Sequence, residues 1–203
     1  MGHPAREWTM TDETLNSRKA CAEDLAELLT LERRAFTELN QGRYPQELVE
    51  SAAREIRMIT PALIDEGHFF VLTTPDRRIA ACGGWSQELP AYADDLEHPP
   101  EHIQRDTGVV RSMFVLPEMA RRGLGRRMMA LIEDDARAHG IRRLSLSATR
   151  MGEPLYRACG FRPGDAEVFS LSGGRKIIGL QMEKVLADET SRPDTDRVAG
   201  TAA

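Results

Sequence analysis

The fold is decided by Val115-Leu-Pro-Glu-Met-Ala-Arg-Arg-Gly-Leu-Gly-Arg-Arg-Met-Met129. Upstream of it, Val109, Val110, Met113, Phe114 and Val115 make an apolar run that reads as a strand over Gly108–Leu116, closed by Pro117. Downstream, Leu124, Met128, Leu131 and Ile132 recur at helical spacing, so an amphipathic helix begins at about Gly123, and Gly140 is placed to cap its end. Glycines at a helix start let backbone N–H groups approach a ligand closely. The unpaired amides of the first turn and the helix dipole then favour an anion there. Arg121, Arg122, Arg126 and Arg127 add the bidentate donors that suit phosphate oxygens. The stretch therefore reads as a pyrophosphate seat. Two other phosphate motifs do not fit: the dinucleotide fingerprint needs a third glycine where Met128 stands, and the Lys-Ser/Thr of a P-loop is missing.

Outward from this turn the pattern alternates between short strands and helices. Residues 15–20 suit a short first strand. Leu25, Leu28, Leu29, Phe36 and Leu39 mark a helix over 24–39, and Gly42 and Pro45 break it. Leu48, Val49, Ala52, Ile56 and Ile59 predict a second helix running to Pro61. Residues 68–85 read as a hairpin turning at Thr74-Pro75-Asp76. Residues 86–104 hold five acidic residues, three prolines and no lysine or arginine, as befits an excursion from the sheet. Leu144–Ser147 reads as a strand, Glu153–Ala158 as a short helix, and Ala166–Leu171 and Lys176–Val185 as two strands about the turn Ser172-Gly173-Gly174. The expectation is a mixed α/β fold with one sheet and helices on both faces.

Composition narrows the function. The chain has 203 residues and a net charge of −5, which suits one domain and argues against a nucleic-acid coat. Cys21, Cys82 and Cys159 are odd in number and far apart, so neither a disulfide framework nor a zinc site is expected, and no metal is assigned. Nothing at the N-terminus reads as a signal peptide and no apolar run suits a membrane span, so a cytoplasmic location without a membrane partner is the expectation. Residues 1–13 read as a flexible N-terminus, 14–186 as the folded domain and 187–203 as a disordered tail.

Two motifs in register resemble the GNAT superfamily of N-acetyltransferases. Phe114-Val115-Leu116-Pro117 followed by Gly123-Leu124-Gly125 is similar to the family's strand end and phosphate loop. Leu155-Tyr156-Arg157-Ala158-Cys159-Gly160-Phe161 is similar to its Leu/Phe-Tyr-x-x-x-Gly-Phe segment. The resemblance covers about residues 13–186. It implies a mostly antiparallel sheet of six to seven strands, splayed between the fourth and fifth. It also implies acetyl-CoA, or another acyl-CoA, as co-substrate. The backbone of Phe114, Val115 and Leu116 would pair with the pantetheine arm, and the amides of Arg122 to Arg127, with Arg121 nearby, would hold the pyrophosphate. Thr149 stands where the family often has an asparagine, and Ala120 where it has Arg or Gln. Val109 stands where many members place a glutamate as general base.

Acetyl transfer to an amine needs a neutral nucleophile, a polarised carbonyl and a proton for the departing thiolate. Tyr156, with a hydroxyl of ordinary pKa about 10, suits the last role. Candidates for the base are Glu88, Asp106, His98 and His102. Cys159 reads as a packing residue, and His139 ends a helix without assigned chemistry. The acidic 86–104 segment is a candidate flap for a cationic acceptor, and Tyr44-Pro45 is, by resemblance, a second acceptor wall. The leading expectation is an N-acetyltransferase acting on a small-molecule amine by direct transfer in a ternary complex. The alternatives are a CoA-binding regulatory module and an acyltransferase fed by a carrier-protein phosphopantetheine. Exposed strand edges allow a homodimer.

Overall fold

The computed structural model describes residues 15–90 and 92–186; the terminal segments 1–13 and 187–203 lie outside them. Seven strands form one sheet in the order β1-β2-β3-β4-β5-β7-β6. The elements run β1 (Asn16–Lys19), α1 (Leu25–Leu39), α2 (Gln46–Glu55), α3 (Pro61–Asp65), β2 (Phe69–Thr73), β3 (Ile79–Ser86) and β4 (Thr107–Val115). They continue with α4 (Leu124–Ala138), β5 (Arg143–Ala148), α5 (Glu153–Ala158), β6 (Arg162–Ser170) and β7 (Lys176–Val185). All neighbouring strands are antiparallel except β4 and β5. Among the described residues no helix is long and apolar enough to cross a membrane.

One core holds the sheet to its helices. Leu28 and Leu31 of α1, Val71 and Leu72 of β2, Met128 and Ile132 of α4 and Leu144 of β5 are almost wholly inaccessible and share it. A smaller core joins Phe36, Val49, Ala52 and Ile56 of the first two helices to Phe169, Leu171 and Ile177 of the last hairpin. Polar contacts fix the helices against the strands. Trp85 Nε1 donates to Asp135 Oδ2 at 2.8 Å, and His68 Nδ1 lies 2.8 Å from the same oxygen, so one carboxylate of α4 holds two points of the β2–β3 hairpin. His139 ends α4 with Nδ1 against the carbonyl of Asp135, in keeping with its place at the helix end.

The second helix is shorter than its apolar spacing predicts. It stops at Glu55, and α3 follows as a separate turn. Proline disfavours the helical region for the residue before it, and Thr60 is extended at φ −130° and ψ 156°, with its hydroxyl accepting from Leu63 N. The extended link is held from a distance: buried Glu32 of α1 accepts from Met58 N at 3.4 Å and Ile59 N at 3.1 Å. Because Ile56 and Ile59 are buried either way, hydrophobic spacing alone could not separate a helix from this strand-like connector.

Candidate active site

The parallel pair β4–β5 is joined only at Thr107↔Arg143, Gly108↔Leu144 and Val109↔Ser145. Beyond that point both strands continue, β4 to Val115 and β5 to Ala148, without facing each other. The sheet therefore opens into a notch with unpaired backbone on its walls, an arrangement that a ligand carrying amides can complete. A cleft of about 520 Å³ occupies the notch.

A bulge shapes the β4 wall. Its register against β3 shifts between Cys82/Gly84, so Ser112 and Met113 together oppose Gly83. Ser112 sits at φ +52°, and its hydroxyl donates to the carbonyl of Met58 at 2.5 Å. The connector held by Glu32 thus supports the bulge. After the bulge, Leu116 N donates to Ala80 O. In an antiparallel ladder the edges alternate residue by residue, so the backbone of Val115 faces the notch and those of Phe114 and Leu116 face β3. Val115 lines the cleft, whereas Phe114, whose backbone pairs with β3 instead of facing the notch, contributes its side chain. Leu116 is displaced from the site: its N–H is committed to Ala80, its carbonyl accepts from Met119 N, and its side chain is in the core.

At one end of the cleft lies the glycine–arginine turn. Gly123 adopts φ +87° as the residue before α4, which glycine tolerates without strain. A Cβ on Gly125 would stand 2.7 Å from Leu155 Cδ2, so the bare backbone allows α5 to close against the first turn of α4. Arg121, Gly123, Leu124, Gly125 and Arg126 line the cleft, with both arginines exposed at its mouth. Arg122 and Arg127 do not line it, and Arg127 Nη2 instead donates to Leu15 O at 2.7 Å. Thr149 lines it too, its hydroxyl oxygen accepting from Gly152 N at the entry to α5.

Tyr156 of α5 lines the cleft and is 8% exposed. Its ring meets Phe161 edge-on with centroids 5.9 Å apart. Burial raises its pKa well above the usual tyrosine value, so the hydroxyl stays protonated. The other end is walled by Phe36, Asn40 and Tyr44 near the α1–α2 junction, Ile56 and Met58 after α2, Tyr92 from the acidic excursion, and Phe169 and Ile177 from the last hairpin. Tyr44 spans the notch: its hydroxyl donates to Ile178 O and accepts from Arg150 N, both at 3.0 Å.

Glu88 and Asp106 are not brought to this cleft. Glu88 is exposed just beyond β3. Asp106 precedes β4 at the closed end of the notch, where its carbonyl accepts from Arg142 N and Arg143 N. Nearness in the chain suggested them, but strand direction carries them away from the open end. His102 lines an adjoining depression, together with Val109, Ser145, Glu167 and Glu183. Among the described residues no Asp, Glu or His lines the main cleft, and of the described part of the acidic excursion Tyr92 alone reaches it. Arg111, Asn40 and Tyr92 are cleft residues that the sequence reading missed.

The sequence profile of the acetyltransferase (GNAT) family matches residues 25–161, which include every strand of the notch and both glycine motifs. The chain belongs to this family. Among solved structures, its fold is similar to that of a GCN5-related N-acetyltransferase from Rhodopseudomonas palustris, 18% identical, with a TM-score of 0.64 over 88% of this chain and 100% of that one. PaiA N-acetyltransferase from Thermoplasma acidophilum, in complex with coenzyme A, is 18% identical with a TM-score of 0.59 over 84% of this chain and 98% of that one. A phosphinothricin acetyltransferase from Sinorhizobium meliloti, in complex with AcCoA, is 17% identical with a TM-score of 0.59 over 90% and 95%. No curated protein sequence matches the chain. For this GNAT protein the seven-stranded sheet, its parallel β4–β5 pair and the surrounding helices are those of the family fold, as the motifs imply.

The Glu32 strut gives the family fold here a pH-sensitive support. Burial pushes this carboxyl from its ordinary 4.5 up to about 7, against the two backbone N–H groups that favour its ionised form. Between those values the folded state holds a proton that the unfolded state has lost, so stability falls as pH rises through the window and is level on either side. Glu32→Gln keeps an oxygen for Met58 and Ile59 and removes the titration. Urea unfolding is expected to show a decline on the order of 1–3 kcal/mol across this window in the wild type and a flat profile in the variant.

Proposed function

We propose that this GNAT protein is an N-acetyltransferase that passes the acetyl group of acetyl-CoA to the amine of a small molecule, by direct attack in a ternary complex. The observation that carries this reading is the open notch itself. It has a backbone edge for amide groups on β4, a glycine–arginine helix start for phosphates, an apolar acceptor wall, and Tyr156 in its lining.

Acetyl-CoA would supply the acetyl group as a thioester. The residues present fit it: Val115 offers backbone N–H and C=O groups, Gly123 and Gly125 leave the first amides of α4 uncovered, and Arg121 and Arg126 add positive charge. The N–H of Val115 is the donor suited to polarise the thioester carbonyl. Tyr156 holds the proton that the sulfur needs as the carbon–sulfur bond breaks. A raised tyrosine pKa is no obstacle, because burial raises a thiol as well: Cys82, enclosed in the same core, is pushed far above its ordinary value.

With no carboxylate or imidazole among the described residues of the cleft wall, the amine proton leaves through water, and the adjoining depression offers Glu167 and Glu183 as acidic acceptors. The same lack of a base is the observation that favours a CoA-binding module as the second reading. Release of free thiol from acetyl-CoA across an amine panel separates the two. Amine-dependent release with intersecting initial-velocity lines is expected. Parallel lines contradict direct transfer, and CoA binding without release from any amine supports the module.

A further inference from the structure

The acceptor end of the cleft contains a buried charge that no ion pair among the described residues neutralises. Arg111 is 3% exposed, lines the cleft, and its Nε has no hydrogen-bond partner. It stands on β4 opposite Gly84, just before the bulge. Its guanidinium lies over the Tyr92 ring, 5.5 Å from the centroid, is hydrogen-bonded with the Tyr92 side chain, and draws longer-range support from Glu66. It forms no ion pair among the described residues. Burial depresses its pKa, the sign of a cation held out of water without enough compensation.

A second unpartnered atom lines the same cleft. Asn40 is 4% exposed; its amide donates to Phe36 O at 2.8 Å, and its Oδ1 is buried without a donor. Buried polar atoms are nearly always satisfied in native proteins, so two of opposite sense in one cleft point to a ligand that supplies both partners. The other walls here are apolar: Phe36, Ile56, Met58 and Phe169. A polycationic acceptor would need carboxylates in the wall, and the lining has none. Among the described residues of the acidic excursion Tyr92 alone lines the cleft, so none of them makes it acidic.

We propose that Arg111 binds a carboxylate on the acceptor and that Asn40 Oδ1 accepts from its N–H group, so that the substrates are amino acids or related amino-carboxylates with apolar side chains. This rests on the acetyltransferase reading above. The guanidinium matches a carboxylate in a bidentate fork, and neutralising the buried charge on binding makes recognition depend on it. An amine without the carboxylate would leave Arg111 buried and unpaired, which is a basis for rejection rather than weak acceptance.

The test uses the full chain saturated with CoA and titrated by calorimetry with matched product pairs. These are N-acetyl-L-phenylalanine against N-acetylphenethylamine, and N-acetyl-L-leucine against its decarboxylated counterpart. The carboxylates are expected to bind roughly 100-fold more tightly. Arg111→Gln is expected to erase the preference and Arg111→Lys to retain part of it, with CoA affinity equal in all three proteins as the check that the notch has formed. Equal affinity within the pairs in the wild type, including no binding by any member, overturns the proposal, as does a preference that survives Arg111→Gln. Loss of CoA binding by the wild type before any acceptor is added would instead overturn the acetyltransferase reading beneath it.

Discussion

Tyr156→Phe is expected to lower kcat by about 100-fold or more while leaving CoA affinity unchanged, because positioned proton transfer contributes on the order of 10²–10⁴ in rate. The substitution removes one oxygen and keeps the ring that packs against Phe161. The hydroxyl makes no hydrogen bond to another described residue, so its loss leaves no orphaned partner in the fold. Thermal stability should therefore stay close to wild type. A packing role alone would leave both kcat and stability unaffected, and that pattern would remove Tyr156 from the chemistry. The raised pKa adds a pH signature: the hydroxyl remains protonated through neutrality and beyond, so no fall in activity at mildly alkaline pH should trace to this group.

Gly125→Asp should weaken CoA binding by roughly 100-fold or more, equivalent to about 3 kcal/mol. A carboxylate would then stand in the first turn of α4, where the amides and Arg121 and Arg126 are arranged for negative charge. Like charges brought together in a binding site oppose each other by several kcal/mol. The steric effect is separable. Any Cβ at this position meets Leu155 Cδ2, the far end of a side chain and not backbone. Gly125→Ala should thus show only a small part of the loss, and titration by calorimetry across the two variants isolates the charge. Equal losses for alanine and aspartate would mean that closure of α5 on α4, rather than phosphate electrostatics, governs the seat.

The parts of this site that could be read in the sequence are those fixed by local backbone chemistry. Gly123 and Gly125 mark a helix start that only a bare backbone allows, Pro117 ends the strand before it, and Tyr156 and Phe161 lie on one short helix and its exit. Such signals need only a few neighbouring residues. The break between α2 and α3 depends on Glu32, more than twenty residues away, capturing the amides of Met58 and Ile59. No window of hydrophobic spacing contains that contact. Leu116 was misplaced because which edge of β4 faces the notch is set by pairing with β3 and by the bulge at Ser112, and neither shows in composition. Arg111 did leave a trace: an arginine inside the apolar run Val109-Val110-Arg111-Ser112-Met113 is out of place for a buried strand. Reading it required knowing that no carboxylate lies across from it. Glu88 and Asp106 show the converse error, in which acidity near the strand in sequence stood in for position along it.

The splay between β4 and β5 is the proposed seat of acetyl-CoA. Amide hydrogen exchange of the full chain, with and without saturating acetyl-CoA, tests it most directly. Slowed exchange is expected at Val115, through residues 121–126 and along residues 149–156, while β1 and β2 at the far edge of the sheet exchange as before. Protection confined to other elements, or none at all under saturating acetyl-CoA, would contradict the account.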